Sequence, residues 1–210
     1  MTKLGIVYFS ATGATETLAQ AIEQGALATE AVEVLRFRID KNQLVEGRFV
    51  DQEVLTQLGS CDAIIFGSPT YMGGVASQFK AFADATSELW CEQLWANKLA
   101  AGFTCGSAPN GDQSGTLHYF FTLACQQGML WVSIDAAHGY TKQNVNRLGS
   151  QLGVVAHVND QGVHKVDKAT AQYLGQRVAV LAKKLNLNEN VIDNNTVDRA
   201  LCGFSADVNN

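Results

Sequence analysis

The chain has 210 residues, 47% of them hydrophobic and only two of them proline, with a formal net charge of −5 and no basic stripe. That balance supports a single well-buried α/β core. It argues against a nucleic-acid backbone or an anionic membrane surface as the main partner.

Leu4 to Phe9 is the first apolar run, with the β-branched and aromatic content of a strand. It breaks into Ser10-Ala11-Thr12-Gly13-Ala14-Thr15. A helix opening there would bring free backbone N–H groups and the positive end of its dipole to one point, which suits a phosphate. No Lys or Arg occurs between Lys3 and Arg36, so hydroxyls and amides would hold that anion. This disfavours a nucleoside triphosphate, whose loop carries a Lys. The same residues also fit an ordinary capped helix start.

From Thr15 to Ala28 the apolar residues follow a helical period. Val32 to Ile39 alternates toward its end as an edge strand would, whereas Ala63 to Phe66 is apolar on both faces and should be central. Ser77 to Trp90 is predicted helical, Leu99 to Thr104 a fourth strand, Thr116 to Gln127 helical, and Leu130 to Ile134 a fifth strand. Asp135 to Gln151 reads as an excursion that interrupts or extends that strand, Gly153 to Val158 as a further extended run, and Ala169 to Leu185 as a closing helix. The expected organisation is one domain over 1–185 with a polar extension over 186–210. The alternation gives an open, doubly wound parallel sheet with helices on both faces. Ligands of such sheets lie outside the carboxyl ends of the strands, so the loops after the first, third and fourth strands matter.

After the third strand comes Ser68-Pro69-Thr70-Tyr71-Met72-Gly73-Gly74, able to lay amides and a flat apolar surface against a planar ring. After the fourth comes Thr104-Cys105-Gly106-Ser107-Ala108-Pro109-Asn110-Gly111, which lets the backbone approach a ligand edge. Ser10 to Thr15, Ile64 to Tyr71, Ser77 to Trp90 and Lys98 through Gly128-Met129 resemble the flavodoxin-like NAD(P)H:quinone oxidoreductases of the WrbA type. The resemblance covers nearly the whole chain up to about Leu185. It implies a flavodoxin-like five-stranded sheet in the order 2-1-3-4-5 and non-covalent FMN. The phosphate would lie on Ser10, Ala11, Thr12, Gly13, Ala14 and Thr15. The isoalloxazine would lie against Pro69, Thr70, Tyr71, Met72 and Gly73, and its pyrimidine edge near Cys105, Gly106, Ser107, Ala108, Pro109, Asn110 and Gly111. It also implies NAD(P)H and a quinone-like acceptor as substrates, a homo-oligomer (dimer or tetramer), and Trp90 as a wall of the substrate pocket.

Three departures accompany it. Gln126 and Gln127 precede Gly128-Met129 where the family usually carries a His, so Gln127 is the expected flavin partner there, without a cationic donor. Tyr71 replaces a basic residue common after the family's Pro-Thr, and Gly149 to Val158 lacks the usual Thr-Pro-Tyr-Gly. The rival reading is a flavodoxin-type electron carrier for redox partner proteins, for which −5 is a weak charge.

Other signals point away from further chemistry. Cys61, Cys91, Cys105, Cys125 and Cys202 are odd in number with no Cys-x-x-Cys pair, and the four histidines lack ligand spacing, so neither disulfides nor a metal site is expected. His138 with Tyr140 is a candidate proton donor toward the flavin, a surface-loop role being the alternative. The start of the chain lacks a signal-peptide pattern and no window approaches about 20 apolar residues, which leads to a cytoplasmic expectation.

Overall fold

Residues 1–138 and 144–187 are described by the computed structural model. In chain order they form β1 (Thr2–Tyr8), α1 (Ala14–Leu27), β2 (Val32–Arg38), a 3-10 turn (Lys41–Gln43), β3 (Leu44–Val45), β4 (Arg48–Phe49) and α2 (Gln52–Gly59). These lead to β5 (Ala63–Tyr71), β6 (Gly74–Val75), α3 (Ser77–Ala85), α4 (Ser87–Cys91), β7 (Leu99–Gly106) and α5 (Gln113–Gln126). The last elements are β8 (Leu130–Trp131), β9 (Val154–Asn159), β10 (Gly162–Val163) and α6 (Lys165–Leu187).

The parallel core runs β2-β1-β5-β7-β9, with Leu4 opposite Ala63, Ala63 opposite Leu99 and Phe103 opposite Val154. This is the flavodoxin-like 2-1-3-4-5 order. The fifth position is shared. β8 pairs with the amino half of β7 and β9 with its carboxyl half, and the chain leaves the sheet between them. The strand expected over Leu130 to Ile134 is therefore only two residues long, because the amide of Ile134 bonds to Gln151 within the excursion instead of to β7.

Side chains alternate across the central strands. Ile6, Ile65 and Phe103 pack with α1 and α6, while Val7, Ile64 and Phe66 pack with α2, α3 and α5. Helices α1 and α6 touch backbone to backbone, since a Cβ on Gly25 would lie 1.8 Å from the Gln172 carbonyl oxygen and one on Gly175 2.0 Å from that of Ile22. The helix expected from Ser77 to Trp90 breaks at Thr86, whose buried hydroxyl donates to the Ala83 carbonyl. From residue 188 on, the extension expected over 186–210 lies outside the described residues, as does Tyr140. No helix among the described residues is long and apolar enough to cross a membrane.

Candidate functional site

The carboxyl ends of β1, β5 and β7 lie side by side where strand order reverses, and three loops rise from them. In the first, Ser10 is buried and its hydroxyl oxygen accepts from the amides of Gly13 and Glu16, both at 3.2 Å. Gly13 sits at φ +90°, which turns the chain into α1. Ala14 and Thr15, in the first turn, have no intrahelical acceptor, and neither they nor Ala11 and Thr12 give their amides to another group among the described residues. Four unmatched donors and the exposed Thr12 hydroxyl thus fall within five consecutive residues at the start of α1. Glu16 would repel an anion there, but Arg36 at 3.5 Å and Arg38 at 2.8 Å pair with its carboxylate. This donor set fits a terminal phosphate such as that of FMN.

The second loop is a tight hairpin. Thr70 and Tyr71 pair with Val75 and Gly74, leaving Met72 (φ 49°) and Gly73 (φ 77°) as the turn. Two positive φ values match the primed turns that suit strand twist. Ser68 braces its base, accepting from the Ala76 amide at 2.9 Å and donating to the Pro69 carbonyl. Thr70 is held between the hydroxyls of Thr104 and Thr116, each at 2.8 Å. At the tip, the Gly73 carbonyl lies so close to Gly115 that a Cβ there would meet it at 2.2 Å. Tyr71 is half-exposed and Met72 fully so.

In the third loop Ser107 to Asn110 are exposed, and the buried Gln113 spans the loop. Its amide group donates to the Ala108 carbonyl at 2.7 Å and accepts from the Gly111 amide at 2.8 Å. Gly106 makes room, since a Cβ there would stand 2.6 Å from Gln113 Nε2. The His157 ring contacts the Ser107 carbonyl at 3.2 Å. Cys105 lies in the floor with its Sγ 3.4 Å from the Thr15 hydroxyl, and burial pushes its thiol up, which keeps it neutral. That contact joins the first loop to the third, as the three threonines join the second to the third.

Two sequence-predicted residues are elsewhere. Gln127 follows α5, whose 14 residues separate its ends by about 20 Å. It is buried at the amino end of the sheet, where Nε2 donates to the Thr86 carbonyl at 3.1 Å and to the Thr86 hydroxyl at 2.9 Å. The expectation that Gln127 reaches the flavin of its own protomer is thereby corrected. Trp90 lies at the same end, because Gln93 Nε2 ties its carbonyl to that of Gln126. At 48% exposure it is no core staple, and it is far from its own crevice. His138 is exposed, with Nδ1 3.2 Å from the Asn146 carbonyl. Among the described residues no three His, Cys, Asp or Glu side chains are grouped as metal ligands.

Sequence reasoning passed over Gln113, which no local pattern marks. It also passed over Arg38 to Leu44 beside the first loop, where Asp40-x-x-Gln43 is a readable capping signal.

Residues 3–141 match the family model for NADPH-dependent FMN reductases. The chain is 36% identical over 194 residues to flavodoxin FldP of Pseudomonas aeruginosa (strain UCBPP-PA14), covering 89% of this chain and 100% of that protein. It is 33% identical over 198 residues to an NAD(P)H dehydrogenase (quinone) of Geobacter sulfurreducens, covering 86% and 98%. Among solved structures, a flavodoxin, WrbA-like protein from Agrobacterium tumefaciens superposes with a TM-score of 0.69 at 35% identity, over 88% of this chain and 99% of that one.

Proposed function

Since the chain belongs to the NADPH-dependent FMN reductase family and to its WrbA-type, flavodoxin-like members, we propose that it transfers two electrons from NAD(P)H to a quinone-like acceptor. FMN is the cofactor, and when bound it supplies the redox chemistry. The chain's own residues supply position and electrostatics. The unmatched amides of Ala11, Thr12, Ala14 and Thr15 would hold the phosphate, with Gly13 setting the turn. The braced hairpin at Pro69 to Gly73 and the Gln113-pinned loop from Gly106 to Gly111 would flank the ring, their amides offering donors to its polar edge. Burial keeps the Cys105 thiol protonated in the floor.

The observation that carries this reading is the set of four unmatched amides at one helix start, linked through side chains to two further Gly-containing loops. Anaerobic mixing of the FMN-loaded protein with NADH and with NADPH, followed by flavin absorption, tests it. Bleaching is expected, and quinone should then restore the oxidised spectrum. The similarity to flavodoxin FldP supports a second reading, an electron carrier. A flavin left oxidised by both nicotinamides yet reduced by a protein donor would establish that one.

A further inference from the structure

None of the three loops contains Lys or Arg. The charged phosphates of a dinucleotide would therefore find no cation in the crevice proper, and one must be sought beside it. A separate cavity of about 620 Å³ lies on the β2 side of the first loop and shares Ser10 and Ala11 with it. Its apolar walls are Phe9, Ile39 and Leu44. Its polar lining comes from Arg38, Asp40, Lys41, Asn42 and Gln78.

The charges facing this cavity are unequal in availability. Arg38 is taken up by Glu16 at 2.8 Å and Asp40 at 3.5 Å, and it also donates to the Ser10 carbonyl at 3.2 Å. Lys41 enters no ion pair among the described residues. The segment presenting it is fixed in place. The Asp40 amide donates to Gln43 Oε1 at 2.8 Å, Gln43 Nε2 donates to Asp51 at 2.7 Å, and Asp51 in turn caps α2. One braced turn thus holds an unpaired ammonium and an exposed amide, Asn42, over an aromatic and aliphatic floor. Volume, apolar walls and a few convergent polar groups are the attributes of a small-molecule site.

We propose that this cavity receives the adenosine-phosphate end of a nicotinamide dinucleotide, the base against Phe9, Ile39 and Leu44 and a phosphate on Lys41 and Asn42. The inference rests on the reading that NAD(P)H is the reductant. Strand neighbours about 4.8 Å apart place the ends of β2 and β7 about 14 Å apart in the order β2-β1-β5-β7, which an extended dinucleotide can span.

The test is calorimetric titration of 2′,5′-ADP into FMN-loaded protein, alongside steady-state kinetics with NADPH. The wild type is expected to bind 2′,5′-ADP, and adenosine at least about tenfold more weakly, because a charged hydrogen bond to phosphate is lost. Lys41→Ala and, separately, Lys41→Glu should weaken 2′,5′-ADP binding by about tenfold or more and raise the KM for NADPH with kcat little changed. No binding of 2′,5′-ADP to the wild type, or binding to both variants as tight as to the wild type, would overturn the proposal even if NADPH reduces the flavin. Lys41-dependent binding of 2′,5′-ADP with no reduction by either nicotinamide would uphold a nucleotide site and sink the reductase reading instead.

Discussion

At Gly13 the backbone stands at φ +90° while the space where a Cβ would project is open. Substitution there meets backbone strain and no clash, so Gly13→Ala should cost about 1 to 2 kcal/mol of stability and loosen FMN, read as a lower Tm and a larger Kd from flavin fluorescence. Thr12 and Thr15 differ in kind: the first is exposed, and the second faces Cys105. The double variant Thr12→Ala/Thr15→Ala should weaken FMN binding by about 1.5 to 3 kcal/mol, mostly through Thr12. An unchanged Kd would reduce the motif to a helix cap. Gln127 gives the opposite signature. Gln127→Ala removes two buried hydrogen bonds to Thr86, whose carbonyl keeps the Trp90 amide, an expected loss of about 1 to 3 kcal/mol by denaturant titration, with FMN affinity of the folded protein unmoved. Sequence proximity to Gly128-Met129 suggested a flavin contact. Only the antiparallel return of α5 shows that this loop closes the far end of the sheet.

Among the elements, those carrying the crevice were the most legible. Leu4 to Phe9 and Ala63 to Phe66 are apolar runs punctuated by Ser, Pro and Gly, and strand-helix alternation alone directs their loops to one edge. Helix α2 is short and its Val54, Leu55 and Leu58 give too few periods to stand out. The break between α3 and α4 has no Pro or Gly to announce it, because a buried threonine hydroxyl makes it. The pairing of β8 and β9 with the same strand is a non-local choice that no window of sequence encodes. The β5-β6 hairpin offers a test at this scale. Met72 holds a positive φ that Asn adopts more readily, so Met72→Asn, giving an Asn-Gly turn, should raise Tm. If the exposed Met72 side chain folds over the ring, the same variant will also weaken FMN binding, whereas a purely conformational role leaves Kd unchanged.

For the whole molecule, alkali is the informative perturbation. Burial pushes the Cys61 thiol up to about 11 from 9.0 and the Tyr119 phenol up to about 12 from 10.0. Both groups hold their protons more tightly when folded. Their contribution is therefore complete below the unfolded values and is lost as pH climbs through the folded ones. Stability should be level toward neutral pH as far as these groups decide it, and should decline from about pH 9 upward, Cys61 alone removing about 2 to 3 kcal/mol by pH 11. A denaturation midpoint that does not move between pH 8 and 11 would contradict this. Assembly is the second question at this scale. Trp90 is half-exposed at the end of the sheet opposite its own crevice, so any flavin it walls belongs to another protomer. Trp90→Ala is expected to impair quinone reduction more than FMN retention, and light scattering of the wild type should report an oligomer. A monomer would remove the intersubunit role.

The glycine contacts between α1 and α6 set Gly25 against Gln172 and Gly175 against Ile22, pairs that lie 147 and 153 positions apart in the chain. The helix whose first turn presents the phosphate donors is thus seated by α6, the last helix among the described residues. A nascent chain leaving the ribosome would carry its cofactor loop early yet be unable to fix it until α6 emerges. Flavin capture in this sense waits on α6, and translation arrested before residue 165 should yield chains that do not retain FMN.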